Sequence, residues 1–183
     1  MDLLTFKDVP LYTPNTLALP EAWQAVSFNT LDFTDKSKLK NVLITYLEKF
    51  EFNGRDSLLI HSDAFAFRLF VSLYREIGSH ITPDNYKLLN WPSYIAALRS
   101  EGFKGLNTLM QDLYSLRFLF IFDLTLSTKD DNNYFEKIVD YTHLHNIILF
   151  IVTRIDGPKV VDSLPLELAK VFNEKFLRIG INE

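Results

Sequence analysis

The sequence predicts an α/β fold, a parallel five-stranded sheet sandwiched between helices, and three observations predict it. Five short apolar runs, starting at Ser57, Tyr86, Phe118, Ile147 and Phe176, are separated by segments whose apolar residues recur at helical spacing. Two of the runs, Phe118 to Phe122 and Ile147 to Val152, show no polar alternation, as expected of strands covered on both faces. Strand and helix signals also alternate along the chain, the order from which crossover-connected parallel sheets are built.

Residues 1–20, with Pro10, Pro14 and Pro20 and no clear period, read as an extended arm, and 21–183 as one domain. From Thr34 onward, Leu39, Val42, Leu43, Tyr46, Leu47 and Phe50 mark an amphipathic helix of about four turns, broken at Asn53-Gly54. Ser57 to His61 suits a buried strand. Ala66, Leu69, Phe70, Leu73 and Ile77 mark a second helix ending near Gly78. Tyr86 to Asn90 forms the next strand, Pro92-Ser93 opens a helix that runs to Gly102, and Leu106, Leu109, Met110, Leu113 and Leu116 make another. After the strand ending at Asp123, the stretch Ser127 to Asn133 reads as a polar loop, with Lys129 to Asn133 a solvated turn. It leads into a helix carrying Phe135, Ile138 and Val139. Beyond the strand from Ile147 comes a turn at Asp156-Gly157-Pro158, then a short helix from Leu164 to Phe172 and a last strand from Phe176 to Ile181.

Composition narrows the function classes. A 183-residue chain that is 48% hydrophobic, with 16 Phe and 8 Tyr, is too apolar for disorder and long enough to bury a core without staples. There is no cysteine, which excludes disulfides and thiolate metal sites and suits a reducing, cytoplasmic setting. The first residues lack a signal-peptide pattern, and no apolar run approaches ~20 residues, so no membrane association is expected. A net charge of -4 lacks the basic footprint of a dedicated nucleic-acid binder, though it leaves room for a local basic patch.

Ligands of parallel α/β sheets bind beyond the carboxyl ends of the strands, which singles out Ser62 to Leu69, Asp123-Leu124 and Thr153-Arg154. A phosphate-binding loop between strand and helix needs G-x-x-x-x-G-K-[ST]: glycines admit the phosphates, Lys bridges them, and a hydroxyl holds Mg²⁺. The corresponding residues here are Ser62-Asp63-Ala64-Phe65-Ala66-Phe67-Arg68-Leu69. Both glycines are replaced, by Ser62 and Phe67. Arg68 keeps the charge of Lys without its shape, Leu69 has no oxygen for a metal, and Asp63 would repel a triphosphate. The third strand ends Phe122-Asp123-Leu124, with one carboxylate but with Leu where a water-activating acid is required, so hydrolysis lacks its base.

Other polar groups carry blander readings. Arg68 reads as a surface arginine and Asp123 as a strand-end carboxylate rather than a metal ligand. His61, Ser62 and Asp63 are adjacent in sequence, so they do not converge as a catalytic triad does. His143 and His145, two apart near the end of a helix, do not share a face for metal binding. Lys129 to Asn133 lacks the ligand spacing of a calcium loop, and most aromatic residues fall on core-facing positions.

With the order of these pieces, the chain resembles the AAA+ domain of bacterial replicative-helicase loaders of the DnaC/DnaI type and the related transposition ATPase IstB. The resemblance spans roughly residues 19–181. Leu19 to Leu31 is similar to that family's lead-in phrase, Leu98-Arg99 with the helix from Gly105 to the segment before its acidic strand, and Ile147 to Thr153 to its sensor strand. That strand continues Thr153-Arg154-Ile155, without the family's polar sensor, and no arginine precedes Arg178 in the region of the arginine finger. The resemblance implies a P-loop NTPase-like fold with a vestigial phosphate loop (Ser62, Phe67, Arg68, Leu69) and a vestigial acidic strand end (Asp123, Leu124). Catalytic residues, metal ligands and cofactor are all expected to be absent.

The function expected from this is that of a non-hydrolysing adaptor or regulator in DNA replication. Its partner would be a protein, such as a replicative helicase or another AAA+ replication protein. AAA+ rings are held partly by nucleotide between subunits, so a monomer or small oligomer is expected. The short arm departs from the longer helicase-binding extension usual in the family. Two alternatives differ in class: a single-stranded DNA-binding accessory protein, which requires a basic stripe with exposed aromatics, and a divergent ATPase anchored by Arg68 and Asp123 alone.

Overall fold

A computed structural model describes residues 12–27, 30–34, 36–48, 57–61 and 64–181. Residues 1–11 of the arm, Phe50, the break at Asn53-Gly54, and Ser62 and Asp63 of the candidate phosphate loop lie outside the described residues.

Helix α1 (Ser37–Glu48) is followed by strand β1 (Ser57–His61), helix α2 (Ala64–Ser79), strand β2 (Tyr86–Asn90) and helix α3 (Trp91–Ser100). Next come α4 (Gly105–Leu113), β3 (Phe118–Leu124), α5 (Lys129–Leu144), β4 (Ile148–Thr153), α6 (Gly157–Asp162), α7 (Leu166–Lys175) and β5 (Phe176–Gly180). The five strands form one sheet in the order β2-β3-β4-β1-β5, every pair parallel. This is the predicted five-stranded α/β sandwich, and β1 and β3, whose ends carry the two candidate motifs, are separated by β4.

Alternation along each strand sends its side chains into two cores. Leu58, Ile60, Phe118, Phe120, Phe122, Phe150 and Val152 pack under α2 and α1 on one face. Leu59, Leu119, Ile121, Leu149 and Ile151 pack under the helices that follow on the other. Residues 12–20 run against α2: the Tyr12 amide donates to the Ser79 carbonyl at 2.8 Å, the Tyr74 hydroxyl donates to the Asn15 carbonyl, and Leu19 is only 3% exposed.

Four local readings are corrected. Lys129 to Asn133 is not a turn but the start of α5, because Thr128 caps the helix: its Oγ1 accepts from the Asp131 amide at 3.2 Å while Asp131 accepts from the Thr128 amide at 2.8 Å. Asp156-Gly157-Pro158 is likewise the entry to α6, with Pro158 in its first turn, where a missing N–H costs nothing. Helix α4 stops at Leu113, short of Leu116, because Tyr114 turns extended with ψ of 133° and Ser115 follows in a left-handed conformation with φ of 66°. The first helix is also shorter than expected, starting at Ser37 rather than Thr34.

Candidate functional site

The candidate site lies beyond the carboxyl ends of β1, β3 and β4. Helix α2 starts at Ala64, and its buried residues Ala66, Phe67, Leu69, Phe70, Leu73 and Tyr74 face the sheet. Phe67 is 2% exposed. Its ring lies 5.3 Å from that of Phe122, nearly edge to face, and 5.8 Å from that of Trp23, which itself meets Phe122 at 5.9 Å. Three aromatic rings from three distant segments thus close on one another, each such pair contributing about 0.5–1.5 kcal/mol beyond burial. The Arg154 guanidinium caps the cluster, 5.4 Å from the centre of the Phe67 ring.

Trp23 is held in place by its own segment. Arg75 of α2 donates to the Gln24 carbonyl at 2.6 Å and to the Val26 carbonyl at 3.3 Å, which fixes the turn at Glu21–Trp23. Burial, with smaller effects from Tyr86, raises the Tyr74 hydroxyl well above its usual range, so Tyr74 remains a neutral donor to Asn15.

Of the other predicted site residues, Arg68 is exposed and Leu69 is fully buried among the core-facing residues of α2. Asp123 sits in a bulge. Ile121 pairs with Ile151 but Leu124 pairs with Thr153, so β3 carries one residue more than β4 in this stretch. Asp123 takes the left-handed conformation there, with φ of 60°. As a result Leu124, which regular alternation from Phe122 would place in the α2-side core, enters the opposite core with 0% exposure. Thr153, also fully buried, donates from Oγ1 to the Leu124 carbonyl at 2.7 Å and accepts from the Ile155 amide at 2.9 Å, binding the ends of β3 and β4 together.

His61, at the end of β1, is enclosed by glycines. A Cβ on Gly157 would stand 2.9 Å from its Nε2, and one on Gly180 2.9 Å from its Cε1. Asp156 Oδ1 lies 3.8 Å from His61 Nδ1. Burial lowers the imidazole pKa, Asp156 opposes the shift and Arg178 adds to it. At the end of α5, the His145 ring lies against Tyr141 at 4.1 Å while His143 belongs to the last turn. Among the described residues no group of three or more His, Asp or Glu side chains is placed to hold a metal ion. A cavity of about 100 Å³ opens at the other end of the sheet, lined by Ser57, Asn146, Lys175 and Phe176, away from these residues.

The sequence signalled Phe67, Asp123 and Leu124, but not the meeting of Trp23, Phe122 and Arg154 with Phe67. Those contacts join residues more than forty positions apart in three cases, and no local pattern encodes them.

The architecture is a parallel five-stranded α/β sandwich with a P-loop NTPase-like, AAA+-like fold. Among solved structures the chain is similar to DnaI (TM-score 0.69, 15% identity, covering 90% of this chain and 92% of that one). It is similar to the DnaC helicase loader (TM-score 0.69, 12% identity, 89% and 100% covered). DnaA from Aquifex aeolicus, solved with AMPPCP, is a further match (TM-score 0.63, 13% identity, 86% of this chain and 50% of that one). No protein-family model matches the sequence, and no curated protein is similar to it. No helix among the described residues is long and apolar enough to cross a membrane.

Proposed function

We propose that this chain is a non-hydrolysing adaptor with a helicase-loader-like fold, acting through protein–protein contact in DNA replication. The observation that carries the reading is Phe67, 2% exposed in the cluster with Trp23 and Phe122, at the position where a phosphate loop requires glycine. Glycine there lets phosphate approach the backbone; Phe67 fills the space with hydrocarbon. Burying such a ring stabilises the fold by roughly 1.5–3 kcal/mol without any ligand. The neighbouring residues agree with this: Leu69 offers no oxygen to Mg²⁺, and Leu124 is buried in the far core where a water-activating acid would have to face the nucleotide. A nucleoside triphosphate therefore does not fit the residues present, and no catalytic step is assigned.

Likeness of fold to a helicase loader and a replication initiator supports the replication setting, with a replicative helicase or another AAA+ replication protein as the partner. Without nucleotide between subunits, the chain acts as a monomer or small oligomer. Size-exclusion chromatography with a bacterial replicative helicase, run with and without ATP, tests the reading. Co-elution that is the same in both conditions is expected, and co-elution that requires ATP bound to this chain contradicts it.

A further inference from the structure

Two lysines at the start of α1 lie over aromatic rings. Lys36 Nζ is 5.2 Å from the centre of Phe65, and Lys40 Nζ is 5.9 Å from the centre of Phe33. The two rings meet edge to face at 5.5 Å, joining the start of α1 to the first turn of α2. Arg68 stands three residues beyond Phe65 on the same side of α2 and is exposed, as is Lys40. Three cations, from α1, from α2 and from the residue before α1, thus border a pair of half-buried rings, on a chain whose net charge is -4.

Among the described residues none of these three cations forms an ion pair. Among the described residues Asp32 is a carboxylate that Lys36 influences. Hydrogen bonds from the Thr34 hydroxyl at 2.6 Å and the Thr34 amide at 2.9 Å hold it below its usual 3.8, with Lys36 a smaller cause. An aromatic face stabilises an exposed ammonium by only about 0.5–1 kcal/mol and leaves its N–H donors able to bond elsewhere.

We propose that this cluster docks an acidic segment of a protein partner, whose carboxylates pair with Lys36, Lys40 and Arg68. The assignment rests on the adaptor reading and names the surface that serves it. Charge complementarity favours a peptide over nucleic acid. Affinity for a phosphate backbone grows with the number of phosphates neutralised, and three cations neutralise few.

Fluorescence anisotropy of a labelled oligoglutamate peptide, titrated with the full chain at low salt, tests the proposal. Saturable binding is expected, weakened about tenfold or more by Lys40→Glu combined with Arg68→Glu, and suppressed by raising the salt. The neutral pair, Lys40→Gln with Arg68→Gln, weakens binding to a smaller degree and keeps the test open if the charge-reversed protein does not fold. Absence of binding by the unsubstituted protein, binding unchanged in the variants, or tighter binding of an oligothymidylate of equal charge overturns the proposal. Nucleotide calorimetry on the same samples separates the two claims. Failure of the peptide to bind, with no nucleotide bound, removes this surface and leaves the adaptor reading; nucleotide binding removes that reading itself.

Discussion

Arg154 holds its guanidinium over the ring of Phe67, 5.4 Å from the centroid. The arginine follows the last residue of β4 and the phenylalanine lies in the second turn of α2, so the contact ties the two sides of the candidate site together. A change at Phe67 should therefore affect stability and not create an ATPase.

Replacing Phe67 with Gly puts the residue of the phosphate-loop pattern at that position of α2 but removes a buried ring from contact with Trp23 and Phe122. The expected cost is about 3–5 kcal/mol from the cavity, increased by about 1 kcal/mol for glycine inside a helix. Urea unfolding measures the loss, and a thermal-shift scan with ATP and Mg²⁺ is expected to show no recovery, because Leu69 still supplies no metal ligand.

The enclosure of His61 predicts a pH dependence. Its folded pKa is lowered from the usual 6.5, chiefly by burial, so the unfolded chain binds a proton more readily than the folded one. The associated stability is fully present above pH 6.5 and declines as the pH falls below that value towards the lower folded pKa. Denaturant titrations between pH 7.5 and about 5 should show this decline, and His61→Gln should flatten that part of the profile.

Gly180 is predicted to resist enlargement because of the same imidazole. A Cβ there would stand 2.9 Å from His61 Cε1, on a ring so close to Gly157 that a Cβ on that residue would also stand 2.9 Å from its Nε2. Gly180→Ala should cost about 1–3 kcal/mol. In a His61→Ala background the cost should fall, a non-additivity that a double-mutant cycle reads directly.

Asp131 is the fourth stability test. Its side chain is 7% exposed, accepts from the Ser127 and Thr128 amides at 3.0 and 2.8 Å, and receives Arg99 Nη2 at 2.6 Å from α3. Asp131→Ala removes a cap and leaves the arginine without its buried partner, an expected loss of about 2–4 kcal/mol. Arg99→Ala leaves Asp131 its hydrogen bonds from the Ser127 and Thr128 amides and the helix its cap, so it should cost less by the same urea measurement.

Much of the fold was legible because each strand is a short apolar run between breakers, and β1 and β2 fall on the residues the pattern marks. The misreadings have local causes. The polar run from Lys129 to Asn133 outweighed a capping signal that was present as Thr128 and Asp131, three residues apart. Helix α6 has only six residues, too few to show a period, although Pro158 in its first turn is itself a helix-start signal. The sequence marks the candidate site only as departures from a phosphate-loop pattern, with Phe67 where that pattern has glycine and Leu69 where it has a hydroxyl. Its geometry was not legible, because the partners of Phe67 come from residues 23, 122 and 154, and because a one-residue bulge at Asp123 decides which core receives Leu124.

The most direct test of the account is isothermal calorimetry of the unsubstituted protein with ATP and with ADP in the presence of Mg²⁺. Phe67 in its aromatic cluster predicts no binding heat at millimolar nucleotide. Saturable binding in the micromolar range, about -8 kcal/mol of binding free energy, would contradict the central claim and require an unconventional nucleotide site.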